Sequence, residues 1–168
     1  MRPRKLNARL GTFLLFAVLA APASLAGQGK QGFELEVDGA WPVKKLEGDS
    51  AWAYDMAGFF HIGLDGREDK QWISLDISKK GVERPVVGKH PIGTSKLSGF
   101  AATLEIRGDD KSTVRSGSGE LEIINASPEG IEGRFTFKSS TVLGEPEISV
   151  SGKFVAKERP SKREPKKK

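Results

Sequence analysis

Along most of this chain apolar side chains fall on every second position, the period of a strand with one buried face. Phe33, Leu35 and Val37 alternate with Glu34, Glu36 and Asp38. Trp52, Tyr54 and Met56 repeat the pattern, and in that phase they belong to the core. Phe60, Ile62 and Leu64 are followed by Ile73, Leu75 and Ile77 across the polar run Asp65–Lys70, which predicts a hairpin. With the turn centred between Arg67 and Glu68, Ile62 meets Ile73, Phe60 meets Leu75, Asp65 meets Lys70 and Ser74 lies across from His61. Phe100, Ala102, Leu104 and Ile106 predict a fifth strand, Leu121 and Ile123 a sixth, Ile131, Phe135 and Phe137 a seventh, and Ile148, Val150 and Phe154 an eighth. Ser127-Pro128-Glu129-Gly130 suits a type I turn with a glycine bulge, which pairs Ser127 with Ile131, Ile123 with Phe135 and Leu121 with Phe137. Residues 81–99, with Pro85 and Pro91, read as a long loop holding a short edge strand around Val86 and Val87.

About eight strands at roughly ten-residue spacing predict an all-β domain. An antiparallel β-sandwich is the preferred architecture and a closed β-barrel the alternative.

Residues 1–26 break the alternation. Arg2, Arg4, Lys5 and Arg9 precede the nearly continuous apolar run Leu10–Ala21, Pro22 interrupts it, and small residues at Ala21, Ala23, Ser24 and Ala26 offer cleavage sites. This order predicts an export signal peptide, with cleavage after Ala26 favoured. The run is far short of the ~20 apolar residues a bilayer span needs, so no transmembrane span is expected after cleavage. The expected location is outside the cytoplasm, periplasmic or secreted.

Removing the leader changes the charge. It carries four basic and no acidic residues, so 27 basic side chains fall to 23 against 22 acidic. Residues 157–168 hold seven basic and two acidic of these, which leaves 27–156 mildly acidic. A single domain over 27–156 and a disordered basic tail over 157–168 follow. A basic groove for nucleic acid is not supported. The tail residues Lys162, Arg163, Lys166, Lys167 and Lys168 are candidates for holding the protein to an anionic envelope polymer or lipid head groups.

The chain has no cysteine, which excludes thiol nucleophiles, thiolate metal sites and disulfides. No metal or cofactor is expected: His90 reads as a loop histidine, and Asp65, Glu68 and Asp69 do not match a calcium-loop order. Arg107-Gly108-Asp109 reads as a hairpin tip. Trp72, out of phase with Ile73, Leu75 and Ile77, points away from the core and with Trp41 and His61 forms a candidate platform for a glycan or apolar ligand. His61 could serve a hydrolase, although Ser74 alone gives it neither an orienting acid nor an oxyanion hole, and Asp76 is no obvious partner in that register.

Four stretches carry a resemblance: Gly88–Gly93 ending in Pro91-Ile92-Gly93; Ser116-Gly117-Ser118-Gly119 leading into Leu121 and Ile123; Ile131, Gly133, Phe135 and Phe137; and Ile148, Val150, Gly152 and Phe154. Over residues 52–156 the chain resembles an uncharacterised β-sandwich domain of short bacterial envelope lipoproteins. The resemblance implies a bacterial origin and a sandwich, and carries no catalytic residues. The lipid-attachment cysteine of such proteins is missing here, and the basic tail is extra. The expected function is an exported, non-enzymatic binding or envelope-associated protein. A barrel carrying a small apolar ligand and a hydrolase using His61 are the alternatives.

Overall fold

The computed structural model describes residues 29–107, 111–140 and 146–159. The expected leader over 1–26, the Gly108-Asp109 part of the hairpin tip and the tail residues from 160 onward lie outside the described residues. Among the described residues ten strands follow one another: β1 (Gly32–Gly39), β2 (Lys45–Gly48), β3 (Ser50–Met56), β4 (Phe59–Glu68), β5 (Gln71–Lys80), β6 (Gly88–Gly93), β7 (Phe100–Arg107), β8 (Ser112–Ser127), β9 (Gly130–Ser139) and β10 (Ile148–Glu158).

The single sheet closes as an eight-stranded barrel, the alternative of the two all-β architectures and not the preferred sandwich. The reason lies in two strands that each serve several neighbours. On one side β10 pairs with β9; on the other it pairs antiparallel with β1 over 148–155 and then parallel with β3 through Lys157–Trp52 and Glu158–Ala53. β8 pairs with β7 at its start and with β6 further on, and it pairs with β9 through register shifts at Ser116/Ser118 and Ile123/Asn125. Bulges of this kind bend a strand and raise its twist, which lets one sheet curl round to meet itself.

The observed strand directions put the β3–β4 and β8–β9 turns, the segments flanking β6, Gly29 and the end of β10 at one end of the barrel, called the upper end here. The β1–β2, β4–β5 and β9–β10 connections lie at the lower end. β10 runs through Glu158, and the Arg159 N–H donates to Ala53 O at 2.9 Å, so the barrel includes residues the charge pattern had assigned to the tail.

Both hairpins keep the expected faces but not the expected partners. The β4–β5 turn sits at Asp69-Lys70, with Asp69 at φ 53°, so Ile62 meets Ile77 and Leu64 meets Leu75. Aspartate tolerates the left-handed region, which stabilises the turn there. The β8–β9 turn is a two-residue Pro128-Glu129 connection that pairs Ser127 with Gly130. The bulge at Ile124 then restores the inward phase, so that Leu121 meets Phe135.

On β3 the inward residues are Ala51 and Ala53, not Trp52, Tyr54 and Met56. Ala51 and Ala53 pair with Leu64 and Ile62, and directly paired residues share a face. The aromatics therefore lie on the outer wall, and Met56 is exposed. Strand β6 begins at Gly88, directly after Val86 and Val87, which are exposed.

The inward side chains form one hydrophobic cluster that fills the barrel, with Leu35, Phe60, Ile62, Leu75, Leu104 and Phe137 buried. Gly133 and Gly152 make room for rings of the neighbouring strand: a Cβ on Gly133 would fall 2.9 Å from Phe154 Cζ, and one on Gly152 2.7 Å from Phe135 Cζ. Buried Ser116 ties the end of β6 to β7, donating to Gly93 O at 2.5 Å and accepting from the Ala102 N–H at 2.9 Å.

Candidate functional site

A polar cluster on the outer wall is built by β3, β4 and β5. His61 points outward from β4 yet is only 6% exposed. Its ring stacks on Tyr54 of β3, with centroids 5.0 Å apart and planes 4° from parallel. Gly63, two residues on, leaves space for the Tyr54 ring, whose Cε1 lies 3.2 Å from where a glycine Cβ would be. The Arg159 guanidinium lies over the other aromatic partner, 5.7 Å from the Tyr54 centroid.

The true β4–β5 register places Ser78, not Ser74, across from His61, and brings Asp76 within reach on the diagonal. The His61 Nδ1 to Asp76 Oδ1 distance is 2.8 Å, and Ser78 Oγ donates to Asp76 Oδ2 at 2.9 Å. A carboxylate only accepts, so Nδ1 carries the proton. Burial pushes the Tyr54 phenol above its ordinary value, with the charges of Asp76 and Asp65 adding to the shift.

An imidazole oriented by a carboxylate is half of a nucleophilic triad. Here, however, the hydroxyl hangs on the carboxylate: the order is Ser78, Asp76, His61, and Ser78 cannot be activated by His61 from that position. The arrangement fixes the imidazole and ties β4 to β5 on the outer wall.

The expected platform of Trp72, Trp41 and His61 does not assemble. Trp41 is buried in the core at the lower end, close to Val43 in the chain and joined to the same cluster. Trp72 is 39% exposed and pairs with Arg67 on one side and Arg107 on the other. His61 pairs with Ser78, six residues along β5 from Trp72, which separates the two by about 20 Å at ~3.3 Å per residue. Gly63 is covered by Tyr54 and pairs with Trp52, not Trp72. His90 sits in β6 and donates from Nε2 to Val86 O at 2.7 Å. Among the described residues no group of three His, Asp or Glu side chains is arranged to hold a metal ion.

A second feature is a groove of about 650 Å³ across β2, β1, β10, β9 and β8, with Gly32, Val155 and Ile124 among its lining. Its lining holds Lys30, Glu47, Asp49 and Glu132 besides one cross-strand row of paired charges: Lys153 Nζ is 3.2 Å from Glu34 Oε2, and Arg134 Nε is 2.6 Å from Glu122 Oε2. Such a row stiffens the wall and offers no net charge to a ligand.

A third feature escaped the sequence analysis because burial, not residue type, reveals it. Six of the large apolar side chains left exposed among the described residues stand at the upper end: Met56, Val82, Val86, Val87, Leu97 and Ile124. Comparison with known proteins found no matching family model, no matching curated protein and no matching solved structure.

Proposed function

We propose that this is an exported, non-enzymatic, envelope-associated binding protein that acts through the outside of its barrel. The observation that carries this reading is the filled interior. An eight-stranded barrel has an interior just wide enough for side chains or one small ligand, and here Phe60, Phe137, Leu104 and their neighbours occupy it. That weighs against the apolar-ligand carrier, which needs a lined internal void of several hundred Å³. The hydroxyl-on-carboxylate order around His61 weighs against the hydrolase. The leader pattern of residues 1–26 and the basic run Lys162, Arg163, Lys166, Lys167 and Lys168 favour a place at an anionic envelope surface.

The test is co-sedimentation of residues 27–168 with bacterial envelope fragments. Every strand among the described residues lies within 32–158, so this protein keeps the barrel they form. Retention at low ionic strength that weakens with added salt is the expected result. A protein that stays in the supernatant at every salt concentration overturns the reading.

A further inference from the structure

The upper end of the barrel combines bare aliphatic side chains with an excess of positive charge. Met56, Val82, Val86, Val87, Leu97 and Ile124 are between 50% and 72% exposed. They come from four separate stretches of chain, yet backbone contacts hold these stretches together. The Gly81 N–H donates to Gly58 O, at the turn just after Met56, and the Lys80 N–H donates to Lys96 O, beside Leu97. Arg84 bonds Ser127 O and Pro128 O and pairs with Glu158 at 2.7 Å, which fixes the segment leading to Val86 and Val87 against the β8–β9 turn. Gly88 pairs with Ile123, so Val87 and Ile124 directly flank a paired position. Ile124 is turned out by the bulge in β8.

Water-exposed aliphatic residues scattered singly need no explanation, but a group on ordered loops at one end marks a contact surface. The charge around them selects the partner. With Arg84 engaged by Glu158, the six basic residues Lys30, Lys79, Lys80, Lys96, Lys157 and Arg159 outnumber Asp55, Glu83, Glu129 and Glu132 at this end. Residues 160–168 continue from Arg159, whose N–H is bonded to Ala53 at the same end, and they carry five basic side chains against one acidic. A hydrophilic anionic polymer would engage the charge and leave the aliphatic side chains wet. A bilayer interface takes both.

We propose that the upper end of the barrel docks onto an anionic lipid bilayer, with Val86, Val87 and Leu97 entering the headgroup boundary and the basic side chains meeting the lipid phosphates. This rests on the envelope-associated reading and names its surface and partner. Insertion of the three aliphatic side chains supplies salt-resistant affinity, while the lysines and the 160–168 segment supply a part that screening removes.

The test uses residues 27–168 with vesicles of phosphatidylcholine alone and of phosphatidylcholine mixed with phosphatidylglycerol, read by co-sedimentation. Binding to the anionic vesicles is expected, with a loss on the order of 100-fold for the triple variant Val86→Ser, Val87→Ser, Leu97→Ser and on the order of tenfold when 160–168 is removed. Because all three positions are exposed, the thermal midpoint of the variant reports whether its fold is kept. A folded triple variant that binds like the parent overturns the proposed surface. Binding to envelope fragments without binding to any vesicle overturns the lipid partner and leaves the envelope reading standing. Binding to neither overturns both.

Discussion

The two ends of this barrel treat apolar side chains in opposite ways. At the lower end the β1–β2 connection folds back on the barrel: Trp41 and Val43 are buried, the Trp41 N–H donates to Gly39 O at 3.0 Å, and the Val37 N–H donates to Lys44 O at 2.8 Å. At the upper end the connections carry Val82, Val86, Val87 and Leu97 into solvent. The lower end spends Trp41 on closure, with Trp72 beside the β4–β5 turn its one large apolar side chain left exposed among the described residues; the upper end is left without a cap from the described chain. A closed barrel needs no partner to satisfy its strand edges, so the difference between the ends concerns side chains and not backbone.

The largest effect that could break this comparison is at Trp41. Trp41→Ala removes a buried aromatic from the core cluster and should lower stability by ~3–5 kcal/mol, measured by denaturant unfolding. Vesicle binding by the fraction that stays folded should not change. A loss of only ~0.5 kcal/mol would mean that the lower end is not capped by this residue. The buried Trp41 Nε1 has no hydrogen-bond partner among the described residues, so Trp41→Phe should recover most of the stability, since the ring is kept and a donor unsatisfied there is removed.

Arg84 tests whether the upper loop is held as firmly as the lower one. Its guanidinium reaches Ser127 O, Pro128 O and Glu158 but is partly exposed, so Arg84→Ala should cost only about 1 kcal/mol. Amide hydrogen exchange should quicken at residues 82–87 and stay unchanged at residues 41–44. Equal protection in both proteins would show that the upper loop is fixed by something else. At the exposed aliphatic positions the effect on stability is smaller still: Val86→Ser and Leu97→Ser should each stay within ~0.5 kcal/mol of the parent in thermal or denaturant unfolding. A larger loss at either would mean that the side chain packs at the upper end, which would contradict the contrast between the ends.

How far these features were legible in the sequence follows from what alternation can encode. Period-two patterning identifies which face of a strand is buried, and Phe60, Ile62, Leu64, Ile73, Leu75 and Ile77 all point inward as expected. It does not locate the turn within a polar run. Moving the turn from Arg67-Glu68 to Asp69-Lys70 shifts every pair by four residues and leaves all faces matched. The His61–Asp76 contact was missed because Asp76 stands two residues from the position facing His61 in either register, and a diagonal spacing of ~7 Å was read as out of reach although the side chains bridge it.

Barrel closure was harder to read, because the parallel pairing of Lys157 and Glu158 with Trp52 and Ala53 joins residues about a hundred positions apart and has no local signal. On β3, alternation offered two phases, and residue size suggested the wrong one. The interior had room for Ala51 and Ala53 only, with Ile62 and Leu64 filling the space beside them. The exposed upper end was invisible for the converse reason: valine and leucine in a loop look alike in sequence whether they pack or not.

The smallest effect concerns Tyr54, which lies beside the upper end under Arg159 and is the chain's single tyrosine. Burial first, then Asp76 and Asp65, raise its pKa in the folded state above the ordinary 10.0, and the nearby Arg159 only partly opposes this. Folding therefore favours the neutral phenol. The stability this contributes is complete below the unfolded value near 10 and is lost as pH rises through the folded value. The thermal midpoint should fall more steeply between about pH 9 and about pH 11 for the parent than for Tyr54→Phe. Tyrosinate absorbance in the folded protein should have its midpoint above pH 10.0. A midpoint at or below that value would mean that Arg159 dominates. The upper end would then hold its positive charge over the phenol more tightly than burial holds the ring, leaving less of that charge to meet a membrane.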